Sequence, residues 1–144
     1  MFYYIKLIYI YGDHIHIINH ITRSTHNMKN IIHTFSNIPV SIQFSIGCNS
    51  RENTHLIDLA KHTDLWFHAQ DHPSCHVIAY VPNIKLTKKQ TMTIVKMGCM
   101  LCKQHTNKLK HEKKIEFSYT QIKNITKSET EGTVFTSNLK TYTI

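Results

Sequence analysis

Residues 40–46 read V-S-I-Q-F-S-I, apolar and polar in strict alternation. A period of two puts one face on a core and the other toward solvent, which predicts a half-buried strand. Gly47 ends it. Asn49 and Glu52 then stand three apart at the head of a short apolar stripe, Leu56, Leu59 and Ala60. That spacing predicts a capped helix start, with Asn in place of the usual Ser or Thr. Residues 64–69 and 75–81 predict two strands. The five residues between them, Gln70-Asp71-His72-Pro73-Ser74, suit the loop of an antiparallel hairpin.

Thr87 and Gln90 make a second capping box and open a helix expected to run to about residue 108. Its inward stripe is Ile94, Met97, Gly98, Leu101 and Cys102, at helical spacing, with the lysines largely off it. Strands are expected over 114–120 and 123–127. A closing ribbon is expected over 133–144, turning at Ser137-Asn138. Residues 12–39 show only weak periodicity, and Pro39 marks their end, because the residue before a proline is pushed out of the helical region. The apolar opening, residues 1–11, reads as a strand or a non-native leader. The sum is a single small α+β domain, a mainly antiparallel sheet with two helices, over residues 40–144, preceded by an extension at 1–39.

A chain of 144 residues with a 41% apolar share can bury one core unaided, and its composition is not that of a disordered segment. The opening stretch carries Lys6 and falls short of the ~20 apolar residues of a membrane span. It also lacks the small-residue cleavage site of a signal peptide, so no membrane association is expected. Cys48, Cys75, Cys99 and Cys102 are too few and too irregular for a secreted disulfide framework, which points to a reducing, cytoplasmic setting. The net charge is +8, and its distribution says more than its size. Residues 85–127 hold eleven lysines against Glu112 and Glu116, a net +9, so the rest of the chain sums to about −1. Such a segment attracts polyphosphate backbones.

The most specific string is D-L-W-F-H-A-Q-D-H-P-S-C-H-V-I, residues 64–78. It resembles the NFACT RNA-binding domain, whose hallmark reads D-[LI]-W-F-H-x-K-[DN]-x-P-G-S-H-V. Upstream, Gly47-Cys48-Asn49 and the polar cluster ending at Asn53 are similar to that family's G-[RK]-N and second polar cluster. Downstream, Tyr119-Thr120 with Lys123, Ile125 and Lys127 resembles its Y-T-x-x-K-x-V-x-K run, and Gly132-Thr133-Val134 its closing P-G-x-V. The chain departs from the pattern at Cys48, Gln70, Ser74, Cys75 and Tyr80. Its length matches the stand-alone, single-domain form of the family. The resemblance implies a non-catalytic RNA-binding module for tRNA or ribosomal RNA, with the ribosome as a candidate partner and a link to ribosome-associated quality control. No cofactor is implied. DNA stays open, because the electrostatic term does not distinguish the two polymers.

Alternation sets Trp66 and His68 on one face of their strand. If Ala69 pairs with Cys75, His68 lies opposite His76 and Trp66 opposite Ile78. Trp66, His68 and His76 then form a cross-strand surface on which a base could stack for ~1–3 kcal/mol. The alternative for Trp66 is a core position, and for the two histidines a hydrogen-bonded structural pair. Asn49 and Asn53 sit at a helix start, where backbone amides favour anions, although capping accounts for Asn49 equally well. Arg51, Lys123 and Lys127 are the basic contact candidates. Two rival readings remain. His68, Asp71, His72 and His76 could supply acid–base pairs for phosphodiester cleavage. Cys99, Cys102 and His105 offer three ligands for zinc, where a structural site usually needs four.

Overall fold

A computed structural model describes residues 28–144 in full and the backbone alone of residues 4–11 and 14–21. The chain runs β1 (Tyr4–Tyr11), β2 (His14–Ile21), β3 (Lys29–His33), β4 (Ile42–Gly47), α1 (Ser50–Leu59), β5 (Leu65–Ala69), β6 (His76–Tyr80) and α2 (Lys88–His105). It continues through β7 (Glu116–Gln121), a single 3₁₀ turn (Ile122–Asn124), β8 (Ile125–Lys127), β9 (Val134–Thr136) and β10 (Lys140–Thr143). One antiparallel sheet is ordered β1-β2-β3-β4-β6-β5-β7-β10, and β8 pairs with β9 in a ribbon of its own.

Both helix starts follow from their caps. Asn49 accepts the Glu52 N–H at 2.9 Å, while the Glu52 carboxylate takes the N–H of Cys48. Thr87 and Gln90 bond reciprocally, at 2.8 and 3.2 Å. Beneath α2 lies the larger core, built from Leu65, Phe67 and Ala69 of β5, Val77 and Ala79 of β6, and Phe44 and Ile46 of β4. From the helix come Ile94, Val95, Gly98, Cys99, Leu101 and Cys102. The opposite face of the sheet carries a smaller cluster of Leu56, Trp66, Ile78 and Ile122, with Ile125 and Val134 packed against it. Helix α1 and the β8–β9 ribbon therefore lie on that second face. Among the described residues no helix is long and apolar enough to cross a membrane.

Three expectations need correction. Helix α2 stops at His105, because Thr106 takes an extended conformation and its N–H turns back to Lys103. The expected strand at 123–127 begins instead with the 3₁₀ turn. The segments 133–136 and 139–144 do not pair with each other: β9 joins β8, whereas β10 joins β7. Their apolar residues serve different cores, Val134 the α1 side and Tyr142 and Ile144 the α2 side. Asn138, at φ 51, makes the bend between them. At the other end, residues 1–3, 12–13 and 22–27 lie outside the described ones. Strand β1 occupies the rest of the apolar opening, and β3, within residues 1–39, pairs with β4 along its whole length.

Helix and sheet come into tight contact at Gly98. A Cβ there would stand 2.5 Å from two carbons of the Phe67 ring, and Phe67 is fully buried at the centre of the core. Gly98→Ala should therefore destabilise the fold by about 1–3 kcal/mol through overpacking, outweighing the gain of up to ~1 kcal/mol in helix propensity. A lowered urea midpoint at unchanged slope is the expected result. An unchanged or raised midpoint would show that α2 can lift off the sheet without cost.

Candidate nucleic-acid interface

The β5–β6 hairpin has the expected register, with Trp66 opposite Ile78 and Phe67 opposite Val77. His68 accordingly meets His76, their ring centroids 5.1 Å apart and edge to face. Trp66 lies parallel to His68 at 5.7 Å and nearly perpendicular to His76 at 5.3 Å. The Trp66 indole N–H donates to Nδ1 of His76 at 3.2 Å. The carbonyl of Ala69 lies 2.7 Å from Nδ1 of His68, which assigns the His68 proton to that nitrogen. Trp66 and His76 are each 4% exposed, and His68 is half-buried.

Burial pushes the His76 imidazole down to about 3, and the neighbouring His68 adds to the effect. Burial also lowers His68, against the opposing bond to Ala69. Desolvation disfavours the charged form, so both rings are neutral at neutral pH and offer shape and hydrogen bonds instead of charge. Trp66 cannot present its ring face to a base without moving, which makes it a support of this surface.

Asn53 belongs to the same assembly. It is buried, and its Oδ1 accepts the backbone N–H of His76 at 3.3 Å. Gly47 makes room for it: a Cβ there would collide with the Asn53 side chain and stand 3.0 Å from Leu56. Asn49 is exposed but its side-chain oxygen serves the cap, leaving Arg51 as the exposed cation of that turn. Sequence reasoning missed Asp64. Fully buried, it accepts the N–H of Lys61 at 2.7 Å and of Val81 at 2.9 Å, tying the loop before β5 to the end of β6. Its place at the head of the D-L-W-F-H string was the available signal.

The basic candidates divide. Lys127 pairs with Asp58 of α1, both about half exposed. Lys123 follows β7 and lies at the far end of the sheet from the hairpin turn. The near end gathers more. There α1 begins, the hairpin turns through exposed His72, and Thr106 holds the N–H of Cys75 at 3.1 Å. Residues 106–115 then lead into β7 and expose Lys108, Lys110, Lys113 and Lys114. The lysines of α2 lie across the sheet from the Trp66–His68–His76 cluster. As for zinc, no three His, Cys, Asp or Glu side chains among the described residues converge to hold a metal ion. Cys102 packs against Cys75, sulfur to sulfur at 3.8 Å, and burial raises Cys99 to about 12.

A family model described as the NFACT protein RNA binding domain matches residues 33–138, well over half of the chain. The chain belongs to the NFACT RNA-binding-domain family. RNA is accordingly the ligand class to which its membership points. Among solved structures, this NFACT domain is similar to the C-terminal part of the fibronectin/fibrinogen-binding protein from Streptococcus suis, at 24% identity and a TM-score of 0.59. The likeness covers 72% of this chain and 40% of that one, and bears on the fold alone. No curated protein matches it.

The neutral His76 of the NFACT domain has a consequence for stability. Between about pH 6.5 and 3 the unfolded chain holds a proton that folded His76 refuses. Its contribution is complete above pH 6.5 and declines as pH falls, with a slope approaching ~1.4 kcal/mol per unit. Carbon-bound ring protons of His76 should show no titration between pH 8 and 5 by NMR. A midpoint near 6.5 would overturn the assignment of a buried neutral ring.

Proposed function

We propose that this NFACT domain binds structured RNA, tRNA or ribosomal RNA, in the cytoplasm and without cutting it, in keeping with a role in ribosome-associated quality control. The observation that carries the reading is the meeting, at one end of the sheet, of Arg51, the exposed hairpin turn and Lys108, Lys110, Lys113 and Lys114. Phosphates contact these cations, while the partly exposed edge of His68 reads the shape of the backbone or a base edge. Trp66, His76 and Asn53 hold His68 in place. A binding role is favoured over cleavage because His76 is buried, neutral and already engaged by Trp66, which removes it as the acid–base partner of His68.

Affinity for tRNA should fall linearly in log–log form as salt rises, and each lost phosphate contact should flatten the slope by about 0.9 on duplex regions. Lys110→Ala with Lys113→Ala should flatten it. Lys127→Ala should do so least, since Asp58 already holds that ammonium group. His68→Ala should weaken binding at unchanged slope. Filter binding over 50–300 mM salt checks all three, with a DNA duplex of equal length in parallel. Affinity indifferent to salt, or none at all, would end the proposal. Crosslinking and RNA sequencing from the native cell then separates tRNA from ribosomal RNA.

A further inference from the structure

Strand β10 accompanies β7 only as far as Lys140, which pairs with Tyr119. Beyond that point the two chains part. β7 continues to Gln121 alongside β5, whereas the segment before Lys140 bends away at Asn138 in the left-handed region. The gap is a cleft of about 260 Å³. Lys123 and Lys140 stand on its rim, Asn124 and Asn138 line its wall, and Leu65 and Tyr119 floor it. Among the described residues no carboxylate lines it.

Its walls are braced. The Thr120 hydroxyl lies 3.2 Å from the carbonyls of Ser137 and Asn138 and accepts the Asn124 amide at 2.8 Å. The Asn138 amide reaches Asn124 Oδ1 at 3.4 Å. The two lysines are both exposed, and the ion pair of Lys127 with Asp58 lies elsewhere. Two exposed lysines therefore line one concavity, and none of the described residues lining it carries a negative charge. Such an arrangement calls for an anion from outside. The cleft is smaller than the ~300–1,000 Å³ of pockets that enclose whole drug-sized ligands, so it suits a sugar-phosphate fragment better than an engulfed nucleotide.

We propose that this cleft seats one phosphate of a bound RNA with its adjoining ribose, the Lys123 and Lys140 ammonium groups on the phosphate oxygens and the Asn124 and Asn138 amides toward the sugar hydroxyls. The proposal rests on the RNA-binding reading and adds a second anchor to it. The six residues of β7 separate the cleft from the hairpin end by about 20 Å at ~3.3 Å per residue. That is less than one ~34 Å turn of a nucleic-acid helix, and because the cleft floor belongs to the core beneath α2, one RNA meets both sites by passing around the end of the sheet.

The test titrates the full chain with inorganic phosphate, with a nucleoside 5′-monophosphate and with a short single-stranded RNA, following backbone amides by NMR. All three should move the amides of Lys123, Asn124, Asn138 and Lys140, the RNA at the lowest concentration. Lys123→Ala with Lys140→Ala should abolish these shifts and flatten the RNA salt slope by about 0.7, the release that belongs to the one phosphate they share on a single strand. The charge-matched pair Lys89→Ala with Lys96→Ala, on the exposed side of α2, should leave the shifts in place and the slope nearly unchanged. RNA that moves amides at the hairpin end but not at the cleft would overturn the second anchor and leave the RNA reading standing. Phosphate that moves the cleft while RNA moves nothing would overturn both. Equal effects from the two lysine pairs would reduce the cleft to diffuse charge and overturn the proposal.

Discussion

Strand β5 must satisfy two faces at once, and the rest of the molecule follows from how it does so. Leu65, Phe67 and Ala69 point into the larger core, where Phe67 meets the bare backbone of α2 at Gly98. Trp66 and His68 must then point the other way. A slip of one residue would put a histidine under α2 and a phenylalanine beside His76, so the register is held from both sides. Asp64 fixes where the strand begins by binding N–H groups of Lys61 and Val81. The polar assembly on the second face is thus positioned by apolar packing on the first.

That assembly is held by hydrogen bonds and ring contacts among its own members, and this decides what it contributes. Trp66 donates to His76, His76 donates its backbone N–H to Asn53, and His68 is tied to Ala69. Buried polar groups arranged this way confer rigidity, since losing any one strands a partner without a bond. Burial keeps both rings neutral, so the motif residues that look most like a nucleic-acid contact supply almost none of the charge. The charge comes from exposed side chains around the sheet ends, within reach of a phosphate.

Local signals were legible from residue order, and relations between distant segments were not. Both caps, the hairpin register and most of the α2 stripe follow from spacings of three and four or from alternation, and each appears where expected. The fate of 133–144 was hidden because β9 and β10 look like partners along the chain. Only the existence of two cores, one on each face, sends Val134 and Tyr142 in opposite directions. Asp64 was passed over because a carboxylate beside a strand looks like a surface residue until its two N–H donors are in place. Lys140 lay outside every motif and became interesting only when β7 and β10 were seen to part.

Charge counted along a sequence is not charge gathered in space. The eleven lysines of residues 85–127 divide among the loop before α2, α2 itself, the connection into β7, and the segment beyond it. A helix is about 10–12 Å across, so the outer lysines of α2 stand at least that far from the opposite face of the sheet, beyond one screening length of ~8 Å at physiological salt. An RNA docked on the α1 face feels them weakly. Their field acts during approach, at long range and low salt, whereas in the proposed complex the bound state is held by the cations at the two sheet ends. A chain can therefore carry a large positive excess and still owe its grip to a handful of side chains, those the fold brings to the edge of the surface that the β5–β6 hairpin builds.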